Sequence, residues 1–152
     1  MRKPKSVRDC ALFLLEYSDR TEKELRQKLA EREYEPKEID EALSFLKEYH
    51  YIDDAAYAGK YIRVYSARKS VRQIRADLQR KGIAAELIDQ WLEETPVDET
   101  AQIQAYLKKK GYRPGEFMEP DAYRKVTAAL CRKGFSYEVV RKAMKHMCEE
   151  TF

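Results

Sequence analysis

The sequence predicts an all-α protein built of three tandem three-helix repeats stacked into an elongated, curved array. Three observations lead to that class. Lys, Glu, Arg, Leu and Ala, good helix formers, dominate, and 152 residues hold only five Gly and five Pro, too few for a fold of strands and tight turns. A two-helix apolar pattern recurs three times along the chain. Each occurrence is preceded by one further stretch with helical apolar spacing.

The first repeat, residues 1–52 with a basic N-terminal tail, opens with "SVRDCALFLLEYS", where Val7, Ala11, Leu14 and Leu15 form one stripe. The pair "TEKELRQKLAEREYEPKEIDEAL" follows, and Thr21 with Glu24 fits a capping box that fixes its start. The second repeat, residues 53–95, has Ala58, Tyr61, Ile62 and Tyr65 at spacings of three and four, then "SVRQIRADLQRKGIAAELIDQWL" with Ser70 and Gln73 in the capping places. The third, residues 96–152, has Ile103, Tyr106 and Leu107, then "YRKVTAALCRKGFSYEVVRKAM". Leu25, Ile74 and Val126 correspond, as do Leu29, Leu78 and Leu130; Tyr34, Ile83 and Phe135; Ile39, Ile88 and Val140; and Leu43, Leu92 and Met144. Within each copy the first two positions, and the last two, are one helical turn apart. The middle residue is an apolar anchor just after a bend carrying Glu33, Gly82 or Gly134, and Gly accepts the left-handed conformation that ends a helix. A unit of this size scarcely buries a core alone, so stacking is expected to supply the missing contacts. A single compact bundle is the alternative arrangement.

Asp53 and Asp54, in "YIDDAAYAGKYI", raise the question of a catalytic or metal-holding pair. With Asp53 as N-cap, Ile52 and Tyr57 take the two places of a hydrophobic staple, and Asp54 falls in the first turn, where a carboxylate favours the positive end of the helix dipole. Adjacent helical residues do not face the same way, and no third carboxylate or His is near in sequence. The pair is expected to start a helix.

Several function classes are set aside on composition. The longest apolar run, "CALFLL" at 10–15, is too short to cross a bilayer, and no signal-peptide core follows the basic start, so no membrane association and a cytoplasmic location are expected. Cys10, Cys131 and Cys148 are odd in number and widely spaced, which reads as reduced thiols. His50 and His146 stand far apart, so neither a metal site nor a cofactor is expected. Since the sequence contains no nucleophile–base pair and no phosphate-cradling Gly loop, no catalytic residue is named and an enzyme is not expected.

The net charge of +3 hides strong segregation. Residues 9–59 carry −7, 60–81 carry +7, 82–107 carry −6 and 108–145 carry +7. Such blocks suggest faces of opposite potential. In the second repeat, Val71, Ile74 and Leu78 make a buried stripe, while Arg72, Arg75 and Gln79 lie on the other side, with Arg63, Arg68 and Lys69 before them and Arg80 and Lys81 after. In the third repeat, Arg124 and Arg132 avoid the Val126 and Leu130 stripe, and Lys133 follows them. These ten cations are the expected partner- or DNA-binding residues, since Arg bonds phosphates and carboxylates two-pronged. The plain alternative is a solvated face balancing the acidic first repeat. The eleven tyrosines allow a stacking platform for single strands, but most sit at helical spacing beside aliphatic residues, as packing would place them.

"YIDDAAYAGKYI", "IRADLQRKGI" and "LCRKGFSYEVV", in this order and at these separations, resemble the RecX family of regulators of the RecA recombinase, over nearly the whole chain from about Leu12 to Met144. Two places depart from the family pattern: Ser70 stands where a Gly is expected, and "EREY" closes the first helix pair where a Gly-containing turn is usual. The resemblance implies a cytoplasmic bacterial protein that lodges in the RecA filament on single-stranded DNA; a monomer is expected. It also implies suppression of strand exchange, ATP hydrolysis and co-protease function in recombinational repair and the SOS response. Two other classes stay open on the residues alone: a helical module acting directly on DNA or RNA, and an adaptor for some other acidic protein.

Overall fold

The computed structural model describes residues 6–149, with side chains through Met147; the basic tail at 1–5, the Cys148 thiol and the acids at 149 and 150 lie outside what is described. Among the described residues the chain is helical, with no strand. The helices are α1 (Val7–Tyr17), α2 (Glu22–Glu31), α3 (Pro36–Glu48), α4 (Asp54–Tyr65), α5 (Val71–Arg80), α6 (Ala85–Glu94), α7 (Glu99–Lys109), α8 (Pro120–Arg132) and α9 (Tyr137–Glu149). They follow one another in threes, as the sequence predicts.

Local chemistry sets both ends of these helices. Backbone N–H groups of the first turn donate to the side chains of Ser6, Thr21, Asp53, Ser70, Asp98 and Ser136, which satisfies donors that a helix leaves open. Thr21 and Glu24 complete a reciprocal capping box. Helices α3 and α8 have Pro at the first position instead. Asp53 is a cap, as expected: its carboxylate accepts from Ala56 N–H at 3.1 Å.

The bends closing α2, α5 and α8 are one motif repeated three times. Tyr34, Ile83 and Phe135 donate their N–H to the carbonyls of Leu29, Leu78 and Leu130, and the residue before each donates to Ala30, Gln79 and Cys131. This is the Schellman pattern, with its apolar residue just past the cap. It demands a left-handed residue, and Gly82 (φ 91°), Gly134 (φ 102°) and Glu33 (φ 68°) provide it. The non-Gly turn of the first repeat therefore keeps the geometry of the other two. Glu33 holds it at a conformational penalty of about 1–2 kcal/mol. Glu33→Gly is expected to stabilise the protein by about 1 kcal/mol, read as a higher urea midpoint with an unchanged slope.

Of the fifteen matched repeat positions, only Tyr34 and Leu92 are half-buried, and the rest are buried. The described residues fall into two compact units. One takes the chain through Tyr61 together with Asp77–Trp91; the other takes Ile62–Ala76 and the chain from Leu92 onward. In the first, α1 and α2 pack on α3 around Leu14, Leu25, Leu29, Leu43 and Leu46. Gly59 lies against the Trp91 ring so closely that a Cβ would stand 2.8 Å from it. In the second, α7 and α8 pack on α9 around Ile103, Leu107, Leu130, Val140 and Met144.

Each unit contains one joint between successive repeats, and the two joints are built alike. In the first unit the Thr21 hydroxyl donates to the carbonyl of Lys81 at 2.6 Å, while Asp54 accepts from Glu22 N–H, at the start of α2, at 2.9 Å. Burial raises the Asp54 pKa, and the hydrogen bond from Glu22 opposes that rise. In the second unit the Ser70 hydroxyl donates to the carbonyl of Lys133 at 3.4 Å, and Glu99 accepts from Val71 N–H, at the start of α5. Burial raises the Glu99 pKa as well, again against the hydrogen bond. In both joints, the cap of one repeat's second helix docks on the next repeat's bend, and an acid opening the next repeat caps that helix a second time.

Candidate functional site

Helix α5 buries Ile74 and Leu78 and exposes Arg72 and Gln79, as its periodicity requires; Val71 and Arg75 are half-buried. The turn at 66–69, just before it, carries Arg68 and Lys69. The Tyr65 ring lies under both, 4.2 Å from Lys69 Nζ and 5.3 Å from Arg68 Cζ. Helix α8 buries Val126 and Leu130 and ends on exposed Arg132, followed by exposed Lys133. The Tyr106 ring of α7 lies 4.7 Å from Lys133 Nζ.

Ser70 brings these segments together. Its buried hydroxyl accepts from Gln73 N–H at 3.1 Å and donates to the Lys133 carbonyl. The start of α5 therefore meets the end of α8, and a groove of about 560 Å³ opens along them. Arg68 and Arg72 from the second repeat and Arg132 and Lys133 from the third line it, with Ser70, Gln73, Ala76 and Cys131 between them. Phe135 closes the floor and is only 6% exposed, so it offers no ring face to a ligand base. This arrangement can hold an anionic partner at several points at once, with backbone and buried side chains fixing where the cations emerge.

The remaining expected residues are placed otherwise. Arg63 is exposed on the last turn of α4 and Lys69 is half-buried beside the groove. Arg80 pairs with Asp77, which is buried and also accepts from the Tyr61 hydroxyl at 2.6 Å. Lys81 is half-buried, 3.3 Å from Glu24. Burial works against its charge, but Tyr57 and Glu24 outweigh that and raise its pKa. Arg80 and Lys81 thus sit in the unit of the first joint and hold acids of the fold. Arg124 pairs with Asp121 on the surface of α8. A larger hollow of about 790 Å³ in the third repeat is edged by Lys108 and Arg113 and contains none of the ten.

Sequence reasoning missed Ser70 as part of the groove, and Gln73, Cys131, Tyr106 and Gln102, whose amide holds the 66–69 turn. Ser70 had a signal, its capping position. Gln102 had none, being one of two glutamines on a helix whose apolar spacing is carried by Ile103, Tyr106 and Leu107.

The chain matches family profiles described as RecX, first three-helix domain, over residues 8–46, RecX, second three-helix domain, over 53–92, and RecX, third three-helix domain, over 97–144. The chain belongs to the RecX family. The Regulatory protein RecX of Vibrio parahaemolyticus is 34% identical over 149 residues, covering 95% of this chain and 94% of that protein. That of Clostridium beijerinckii is 32% identical over 141 residues, covering 91% of this chain; the chain spans 66% of that relative's length. The crystal structure of RecX from Lactobacillus salivarius superposes with a TM-score of 0.76 at 25% identity, covering 93% of this chain and 94% of that one. The RecX resemblance carried by the three motifs therefore holds, and so does the division into three-helix repeats. No helix among the described residues is long and apolar enough to cross a membrane.

Proposed function

We propose that this RecX-family chain binds the RecA filament on single-stranded DNA and restrains its activities: strand exchange, ATP hydrolysis and co-protease function. It would act in the cytoplasm, in recombinational repair and the SOS response. The observation that carries the reading is the groove in which Arg68 and Arg72 of one repeat face the same space as Arg132 and Lys133 of the next. Cations gathered from separate helices around a preformed hollow suit a partner surface rich in phosphate or carboxylate. Such charge complementarity acts on the rate and specificity of encounter.

Direct action on free nucleic acid is the less favoured reading. Single-strand binders add aromatic faces on which bases stack, and the aromatic ring in this groove is buried. The test is to titrate the protein into RecA hydrolysing ATP on single-stranded DNA, beside binding to the same DNA without RecA, both at physiological salt. Inhibition of hydrolysis at concentrations where the bare DNA stays free is the expected result. Tight binding to bare DNA without effect on RecA would transfer the groove to a nucleic-acid module.

A further inference from the structure

We infer that Gln102, which bears no charge and lies on α7, is the positioning residue for Arg68 and Lys69, the cations of the turn at the groove's second-repeat edge. Gln102 is 8% exposed. Its amide NH₂ donates to the carbonyl of Ser66 at 2.7 Å and to that of Lys69 at 2.8 Å. Those carbonyls lie just past the end of α4, in the turn that projects Arg68 and Lys69, where a terminating helix leaves acceptors open. Both amide hydrogens are thereby used, and each pins one end of the turn.

The orientation of the amide follows from its partners, because only the nitrogen can face two carbonyls. Its oxygen Oε1 is left buried without a hydrogen-bond partner. A buried acceptor without a partner destabilises a fold, so this residue is not explained by packing alone. One turn further along α7 lies Tyr106, whose ring supports Lys133. The same face of α7 therefore holds the turn that carries Arg68 and supports Lys133, while contributing no cation itself.

The inference rests on the groove being the binding site, and its test separates the two. Gln102→Met keeps the volume and removes both donors; Gln102→Glu keeps the shape and turns donors into acceptors that the carbonyls repel. Each is made in the unmodified chain and in one carrying Arg68→Ala and Lys69→Ala, and circular dichroism confirms folding. Binding is measured to RecA filaments on single-stranded DNA and, separately, to heparin as a plain polyanion. Freeing two side chains that must be ordered again on binding is expected to weaken binding roughly tenfold in the unmodified chain. In the alanine background the same change should do almost nothing. Hydrogen exchange at the Arg68 and Lys69 amides should rise, with α8 unchanged. An equal loss of binding in both backgrounds would make Gln102 a merely structural residue, and undiminished binding with unchanged exchange would remove the role. Failure of the unmodified protein to bind filaments would overturn the RecA reading alone, since the heparin cycle and the exchange experiment still decide Gln102.

Discussion

Replacing Arg72 and Arg132 together by Glu is expected to weaken inhibition of RecA ATP hydrolysis by roughly a hundredfold or more. The two residues come from different repeats, α5 and the end of α8, yet line one groove. Reversing both turns attraction into repulsion at two points of the same contact. Both are exposed, and neither contributes to the Ile74, Leu78 or Leu130 stripes, so the fold should lose little. Replacement of both by Ala should shift the titration less, about tenfold, because it removes attraction without adding repulsion. Two comparisons sharpen the reading. Lys28→Glu, on the exposed side of α2, should leave inhibition unchanged. Arg80→Glu should act mainly on stability, because it sets a carboxylate beside the buried Asp77 that Arg80 now pairs with. Raising the salt should shrink the difference between the unmodified protein and the double Glu variant.

Gly134→Ala is expected to damage the fold heavily for its size. Gly134 has φ 102°, and a Cβ there would stand 2.6 Å from Ser70 Oγ. Ser70 cannot retreat cheaply, since it caps α5 and donates to Lys133. The left-handed backbone contributes about 1–2 kcal/mol and the forced displacement a similar amount, so a loss of about 2–4 kcal/mol is expected by urea unfolding. Gly111→Ala separates the two effects. It has φ 92° but open space around it, and only the backbone contribution of about 1–2 kcal/mol should appear. Equal losses at the two sites would mean that the close approach at Ser70 contributes nothing. Because Gly134 also lines the groove, a Gly134→Ala protein that stays folded should inhibit RecA less well.

Periodicity and capping made the helices legible, because both are local. Leu25 to Leu29 and Ile39 to Leu43 are one turn apart whatever the rest of the chain does, and Thr21 or Asp53 reaches its own first turn. Two departures from the family pattern could not be understood at that level. Ser70 proves to serve both its own helix and the next repeat's bend, a contact across 63 residues of sequence. Glu33 holds the same turn as Gly82 and Gly134, but those two glycines are also pressed by Lys23 and Ser70 of the repeat before them. Glu33 is exposed, so residue 33 meets only the conformational demand and a side chain fits. The site was partly legible for the same reason. Helical spacing placed Arg72 and Arg132 outward. Arg80, Lys81 and Arg124 looked equivalent to them in the sequence, although Asp77 and Asp121, three residues before Arg80 and Arg124, were within reach at helical spacing. Asp77 is buried beneath Tyr61, and Glu24 reaches Lys81 only through the joint. Gln102 was invisible because its partners are backbone carbonyls more than thirty residues away.

The central claim is that the second and third repeats present one binding face to the RecA filament. Lysine reactivity tests it most directly. The protein, free and saturated with RecA filaments on single-stranded DNA, is acetylated briefly and each lysine read by mass spectrometry. Lys133, exposed at the rim of the groove, should be strongly protected in the complex, while Lys28 and Lys37 on the first repeat should react as they do in the free protein. Full reactivity of Lys133 in the complex, with protection at Lys28 or Lys37 instead, would contradict the account and put the binding face on the first repeat.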